Sequence, residues 1–235
     1  MVSVIIPVLN EEKTIAAVVK FAKANPYVSE VIVVDDQSTD NTVNEAKAEG
    51  ASILISAQRG KGTSLRDGIN NAGNEIIVFL DGDIHPYPSD TITSMVEPLI
   101  HDNCDFVKAS FSRNAGRVTE LVAKPLLTLL FPDLANYSQP LGGMMAGRKK
   151  FLSRIEFLPD YGVDIGILID MCRMGARMQE VRIGYIQNKS KPWRALVDMS
   201  KEVSGAILHK AFQYNISPVQ KTNLPSIENK NVEWL

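Results

Sequence analysis

A chain of 235 residues that is 45% hydrophobic and 22% charged can bury a substantial core and is too apolar to remain disordered. Its formal net charge of −2 supplies no basic field for nucleic acid or an anionic lipid surface. The most apolar later stretch, VAKPLLTLLFPDLA, is broken by Lys124, Pro125, Pro132 and Asp133, and falls short of the roughly 20 residues that a membrane-spanning helix needs.

The chain opens on MVSVIIPVLNEE, which lacks the basic leader and apolar length of a secretory signal, so the expected location is the cytoplasm. Within it, SVIIPV reads as a first strand. EKTIAAVVKFAKAN follows with helical spacing at Ile15, Val18, Val19 and Ala22. EVIVVDD is a second strand, and STDNTVNEAKAEG a helix with an N-cap signal and a closing glycine. ASILIS is a third strand, KGTSLRDGINNAG a helix, and EIIVFLD a fourth strand. Nearly continuous β-branched strands alternating with amphipathic helices predict a parallel sheet covered on both faces, an α/β Rossmann-like arrangement. The pattern then changes: CDFVKASF and the region of GGMMAG read as strands, with mostly helical chain from Arg117 to Leu130 between them. A helix from about Val163 to Gly175, a strand at MQEVRIGYI and a long helix from about Arg194 to Tyr214 complete a helix-rich second half. The expected organisation is one domain over residues 1–215, with halves 1–103 and 104–215, and a polar tail or arm over 216–235. Cys104 and Cys172 are isolated and read as buried reduced thiols rather than a disulfide.

Every unusual polar cluster of the first half falls at the end of a strand: PVLNEE, DDQSTD, AQRGKG and DGD. In a doubly wound sheet that is where ligands gather, so the four clusters predict one composite site. Asp81 and Asp83 flank Gly82, and paired carboxylates at a strand end can hold Mg²⁺ or Mn²⁺ through oxygen, in company with substrate phosphates. A polar turn is the competing reading. Arg59 and Lys61 lie between glycines but do not fit the spacing of the phosphate loop GxxxxGK[ST]; they can offset phosphates, balance the Asp81/Asp83 pair, or form a solvated turn. Asn114, Gly116 and Arg117 precede a helix with Thr119 in its first turn, which makes an anion site or a plain cap. Asp164 is one carboxylate among apolar helix residues, and serves either chemistry or the helix dipole.

As a set, VIIPVLNEEKTI, VIVVDDQSTDNT, GKG and FLDGD resemble the nucleotide-sugar half of GT-A glycosyltransferases, the family 2-like group. The second half, with GRVTELVAKPLL, QPLGGMMAG, FLPDYGVDIGILID and KPWRALVDMS, is similar to the glucosyl-3-phosphoglycerate synthases within that group. The resemblance implies a GT-A fold and a retaining, metal-dependent transfer of a hexose, glucose, from UDP-glucose to a small phosphorylated acid such as 3-phosphoglycerate. By position it puts Pro7, Leu9, Asn10 and Glu11 along the nucleotide, with Asp36 near the uridine and Lys61 near the uridine or the diphosphate. Asp83 takes the metal, and Asp81 and Gly82 lie beside the ribose and donor. Gly116, Arg117 and Thr119 grip the acceptor's phosphate and carboxylate. Asp164, following Tyr161, reaches the sugar and acceptor hydroxyls, so Asp164, Asp83 and Lys61 form the implied catalytic set.

Three departures from the family pattern bear on specificity. Met144 stands in place of an acid that would contact the sugar, and Asp164 is one methylene shorter than the family's glutamate. Asn188 occupies the place of a metal-binding histidine, with Ser190 where the family has an asparagine on the acceptor side; His85 is the alternative metal neighbour. The competing functions are an inverting transferase with a polyprenyl phosphate or glycan acceptor, and a nucleotide-sugar-binding module without turnover. A homodimer is expected from the family, while no heptad in the sequence demands one.

Overall fold

A computed structural model describes residues 1–112, 116–187 and 192–218 of the chain, so most of the expected tail lies outside the described residues. Seven strands form one sheet: β1 (Val2–Val8), β2 (Val28–Asp35), β3 (Ser52–Ile55), β4 (Ile76–Phe79), β5 (Phe106–Ser112), β6 (Met145–Arg148) and β7 (Met178–Tyr185). Their order is β3-β2-β1-β4-β6-β5-β7. All pairings are parallel except those of β6, which runs antiparallel to both β4 and β5. The seven strands read from the sequence are all present, as is the mostly parallel sheet of the GT-A class.

The helices are α1 (Ile15–Lys23), α2 (Thr42–Ala48), α3 (Lys61–Asn71), α4 (Thr91–Ile100), α5 (Lys124–Leu130), α6 (Lys149–Leu152), α7 (Val163–Arg173) and α8 (Trp193–Gln213). They cover both faces because each strand presents apolar side chains alternately to either side. In β1, the side chains of Val2, Val4, Ile6 and Val8 enter a core with α1, α2 and α4, while Ile5 enters a second core with α3, α5, α7 and α8. The helical segment from Arg117 to Leu130 contains a π-helical turn at Thr119–Ala123. The sequence reading did not include α4, in which Pro98 interrupts an otherwise regular spacing of Ile92, Met95, Val96 and Leu99. Cys104 is buried, Cys172 is partly buried, and both are free thiols.

β6 decides where the two halves meet. It lies between β4 of the nucleotide-type half and β5 of the second half, so one sheet spans both. Because it is reversed, its first residues lie at the end of the sheet where β1, β2 and β4 finish. Among the described residues no helix is long and apolar enough to cross a membrane.

Candidate active site

At the carboxyl ends of β1, β2 and β4 lies a cleft of about 690 Å³. Its walls combine Pro7 at the end of β1 with Leu9 and Glu11 after it, Asp36 after β2, Arg59–Lys61 at the start of α3, and Asp81–Asp83 after β4. From the second half come Phe111, Leu141–Gly143, Pro159–Tyr161, Asp164, and Met199 and Glu202 of α8. The strand-end clusters that the sequence singled out therefore share one cavity.

Lys61 is the electrostatic centre of the cleft. Its ammonium donates to Asp81 Oδ1 at 3.1 Å and to Asp164 Oδ2 at 2.9 Å. Asp81 belongs to the first half and Asp164 to α7, so one cation joins carboxylates from both halves. Burial by itself would lower the lysine's pKa, but Asp164 and then Asp81 outweigh it and hold the value above the ordinary range. The Asp164 side chain is only 7% exposed, and its Oδ1 has no hydrogen-bond partner among the described residues. A buried carboxylate oxygen in that state is ready to accept from a hydroxyl group.

Local backbone contacts fix the other parts. Asp36 accepts from Gly60 N at 2.9 Å, which ties the RGKG turn to the end of β2. Glu11 N donates to Thr42 Oγ1 at 2.7 Å, and the Glu11 carboxyl has a raised pKa, first through burial and then through the charge of Asp83. Gly82 has no room for a side chain: a Cβ there would lie 2.7 Å from Val8 Cγ1. Gly143 is as tightly placed, since a Cβ would lie 2.1 Å from Asp81 Oδ1 and 2.7 Å from Lys61 Nζ. The bare Gly143 backbone is thus part of the wall against which the Asp81–Lys61 pair rests.

Several residues of the polar clusters do not line the cleft. Asn10 does not line the cleft; its Oδ1 accepts from Thr39 N at 2.8 Å, joining the loops after β1 and β2. Asp40 accepts from Thr42 N at 3.0 Å, a capping contact at the start of α2. Gly116, Arg117 and Thr119 are also outside the lining, at the start of the helical segment after β5; the buried Thr119 Oγ1 has no partner among the described residues. Met144 is fully buried in the core shared with α1 and α4, so its side chain does not face the cleft. His85 is exposed and outside the lining. Asn114, Asn188 and Ser190 lie outside the described residues. The sequence reading missed Met199 and Glu202, because a long amphipathic helix carries no motif that marks which turn faces a cleft.

The donor set suits a divalent cation that is only partly held by protein. Glu11, Asp81 and Asp83 converge on one cleft, and the raised pKa of Glu11 reflects, after burial, crowding by like charge. Among the described residues no three His, Cys, Asp or Glu groups form a ready-made metal cage. Mg²⁺ and Mn²⁺ tolerate that arrangement, since they take one or two carboxylates and complete their shell with water and phosphate oxygens.

Residues 3–155 match glycosyl transferase family 2. The chain belongs to that family. It is 36% identical over 234 residues to the glucosyl-3-phosphoglycerate synthase of Mycolicibacterium smegmatis, an alignment covering 89% of this chain and 77% of that one. The synthase of Petrotoga mobilis is 32% identical, with 91% of this chain and 74% of that protein covered. Among solved structures, the Mycobacterium tuberculosis synthase in complex with Mn²⁺, uridine diphosphate and phosphoglyceric acid superposes with a TM-score of 0.84 at 34% identity, over 90% of this chain and 78% of that chain. A structure of the same enzyme with Mg²⁺ and uridine diphosphate gives a TM-score of 0.84, again at 34% identity, over 90% and 79% of the two chains.

Proposed function

We propose that this family 2 glycosyltransferase moves glucose from UDP-glucose to 3-phosphoglycerate, with Mg²⁺ or Mn²⁺ and with retention at the anomeric carbon. The single observation that carries the reading is the Lys61 bridge, which sets a carboxylate of the nucleotide-type half, Asp81, beside one of the second half, Asp164. The resemblance to synthases of this activity over about nine-tenths of the chain supports the choice of donor and acceptor.

In this reading Pro7, Leu9, Glu11 and Asp36 receive the uridine and ribose, and the ammonium of Lys61 turns toward the diphosphate. Asp83, with Asp81 and the amide of Asn188, holds the cation. When bound, such a cation neutralises the charge that develops on the departing diphosphate. Asp164 orients hydroxyl groups of glucose and acceptor through its Oδ1, which has no partner among the described residues. Gly116, Arg117, Thr119 and Ser190 take the acceptor's phosphate and carboxylate, which suits an arginine beside backbone amides. Tyr161, exposed at the cleft wall, joins them on the acceptor side. Residues 1–215 act as one domain in this scheme, since donor and acceptor groups share one sheet.

A homodimer belongs to the same proposal, supported by the apolar Leu208 and Phe212 that α8 leaves exposed; light scattering tests it. So does a cytoplasmic location, because both substrates are small charged molecules that do not cross a membrane unaided. The test of the function is incubation with UDP-glucose, 3-phosphoglycerate and either cation. Release of UDP together with an α-linked phosphorylated glucoside, identified by its anomeric NMR coupling, is the expected result. A β-linked product would favour an inverting transferase with Asp164 as base, and no transfer to any of a panel of phosphorylated acids would overturn the reading.

A further inference from the structure

Lys108 has no part in the scheme above, yet it is fully buried and stands next to the cleft. It is the third residue of β5 and points to the same face as Phe106, into the layer that holds α7. Its ammonium donates to Gly142 O at 2.5 Å. Burial first, and then the repulsion of Lys61, pull its pKa down to about 8 in spite of the attraction of Asp164, Asp81 and Glu180. A buried cation is expensive to desolvate, and an apolar side chain of the same length would fill the space at no such penalty.

The bond made by Lys108 explains its retention. Gly142 precedes Gly143, whose backbone leaves no space for a Cβ beside Asp81 Oδ1 and Lys61 Nζ. The loop before β6 is strapped at other points by Gln139, which donates to Phe111 O at 3.1 Å, and by Ser138, whose amide donates to Glu180 Oε1 at 2.7 Å. Lys108 supplies the strap closest to the reacting groups. We propose that Lys108 is a positioning residue of the transfer reaction, one that holds the Gly142–Gly143 wall at the height that sets the Asp81–Lys61 pair. The inference rests on the glycosyl-transfer reading of the cleft.

The test compares Lys108→Met, which fills the space without a donor, with Lys108→Gln, which retains a donor toward the Gly142 carbonyl. In Lys108→Met, kcat/KM for UDP-glucose is expected to fall about 100-fold, the scale of an ångström-sized misplacement. KM for 3-phosphoglycerate should stay within about threefold and Tm within a few degrees, as expected when an apolar group of similar volume replaces a buried charge. Lys108→Gln should recover about tenfold of the loss. The proposal is overturned if Lys108→Met retains kcat/KM within about threefold, if activity falls only in step with Tm, or if Lys108→Gln gives no recovery. Should Lys108→Met fail to fold, Lys108→Gln decides: a folded, active protein supports the strap, and a second unfolded variant reduces Lys108 to a structural residue. Calorimetry of UDP with Mg²⁺ on the native chain separates the two levels, since absence of binding there would sink the functional reading whatever the variants do.

Discussion

Two clusters of charge lie at opposite ends of the sheet and are assembled on different terms. At the amino ends of β5 and β7, Asp102 and Asp105 meet Arg148 and Arg177, two anions against two cations. Arg177 donates to Asp105 Oδ2 at 2.9 Å and Oδ1 at 3.1 Å, and this hydrogen bonding holds the Asp105 pKa at about 2. Around the carboxyl ends of β1, β2 and β4, carboxylates that include Glu11, Asp81, Asp83 and Asp164 share a cleft whose lining cations among the described residues are Lys61 and Arg59. Matched charges fasten the chain, because each group satisfies another. Carboxylate charge crowded into one cleft costs stability, and a cation entering there with its substrate would relieve it.

The largest effect that could break this contrast is on turnover. Asp83→Ala is expected to lower kcat by about 10³ with either Mg²⁺ or Mn²⁺, while leaving Tm unchanged or slightly higher as like charges are thinned. A rate close to native in steady-state assays would remove the metal role from the cleft. Lys61→Met comes next, with kcat/KM for UDP-glucose lower by about 10² and a reduced Tm, because Asp81 and Asp164 then face each other without their shared cation. An unchanged Tm in a thermal melt would mean that the bridge is incidental to the fold. Ligand addition sharpens the same point: Mg²⁺ with UDP, each near 100 times its Kd, should stabilise the native chain by about 3 kcal/mol and do far less for Asp83→Ala.

The smallest effect belongs to the balanced cluster. Asp105→Asn should cost about 2 kcal/mol or less at neutral pH, discounted because Arg177 is half exposed, with kcat unchanged. The folded pKa lies below the ordinary 3.8, so this stabilisation is present above that pH and disappears as pH falls through about 2. Denaturant melts should therefore show the native and Asp105→Asn curves converging between those two values. A gap that persists at the acid end would assign the cost to packing instead.

The parts of the molecule that could be read from sequence are those set by local chemistry. Runs such as VIVVDD mark buried strands, and their polar ends mark the cleft, because a doubly wound sheet leaves no other place for them. The reversal of β6 could not be read, since pairing partners distant in sequence leave no periodicity behind. Met144, which looks like a change in the cleft, precedes that strand and is a core residue, and the wall at Gly142 and Gly143 has the strand behind it. Lys108 was hidden for a related reason: a lysine in an alternating strand reads as a solvent-facing position. Pro98 hid α4 because proline ordinarily argues against a helix interior.

Met145, the first residue of β6, pairs with Phe79 of β4 on one side and with Lys108 of β5 on the other. Phe79 stands two residues before Asp81, so the strand that leads to the Asp81–Asp83 turn and the strand that carries Lys108 are levelled against the same residue. A slip of β6 by one position would turn its side chains to the wrong faces along both borders at once. The span between the ends of β4 and β5 is in this way a ruler graduated in hydrogen-bond register, one that insertions in the surrounding loops can decorate but not rescale.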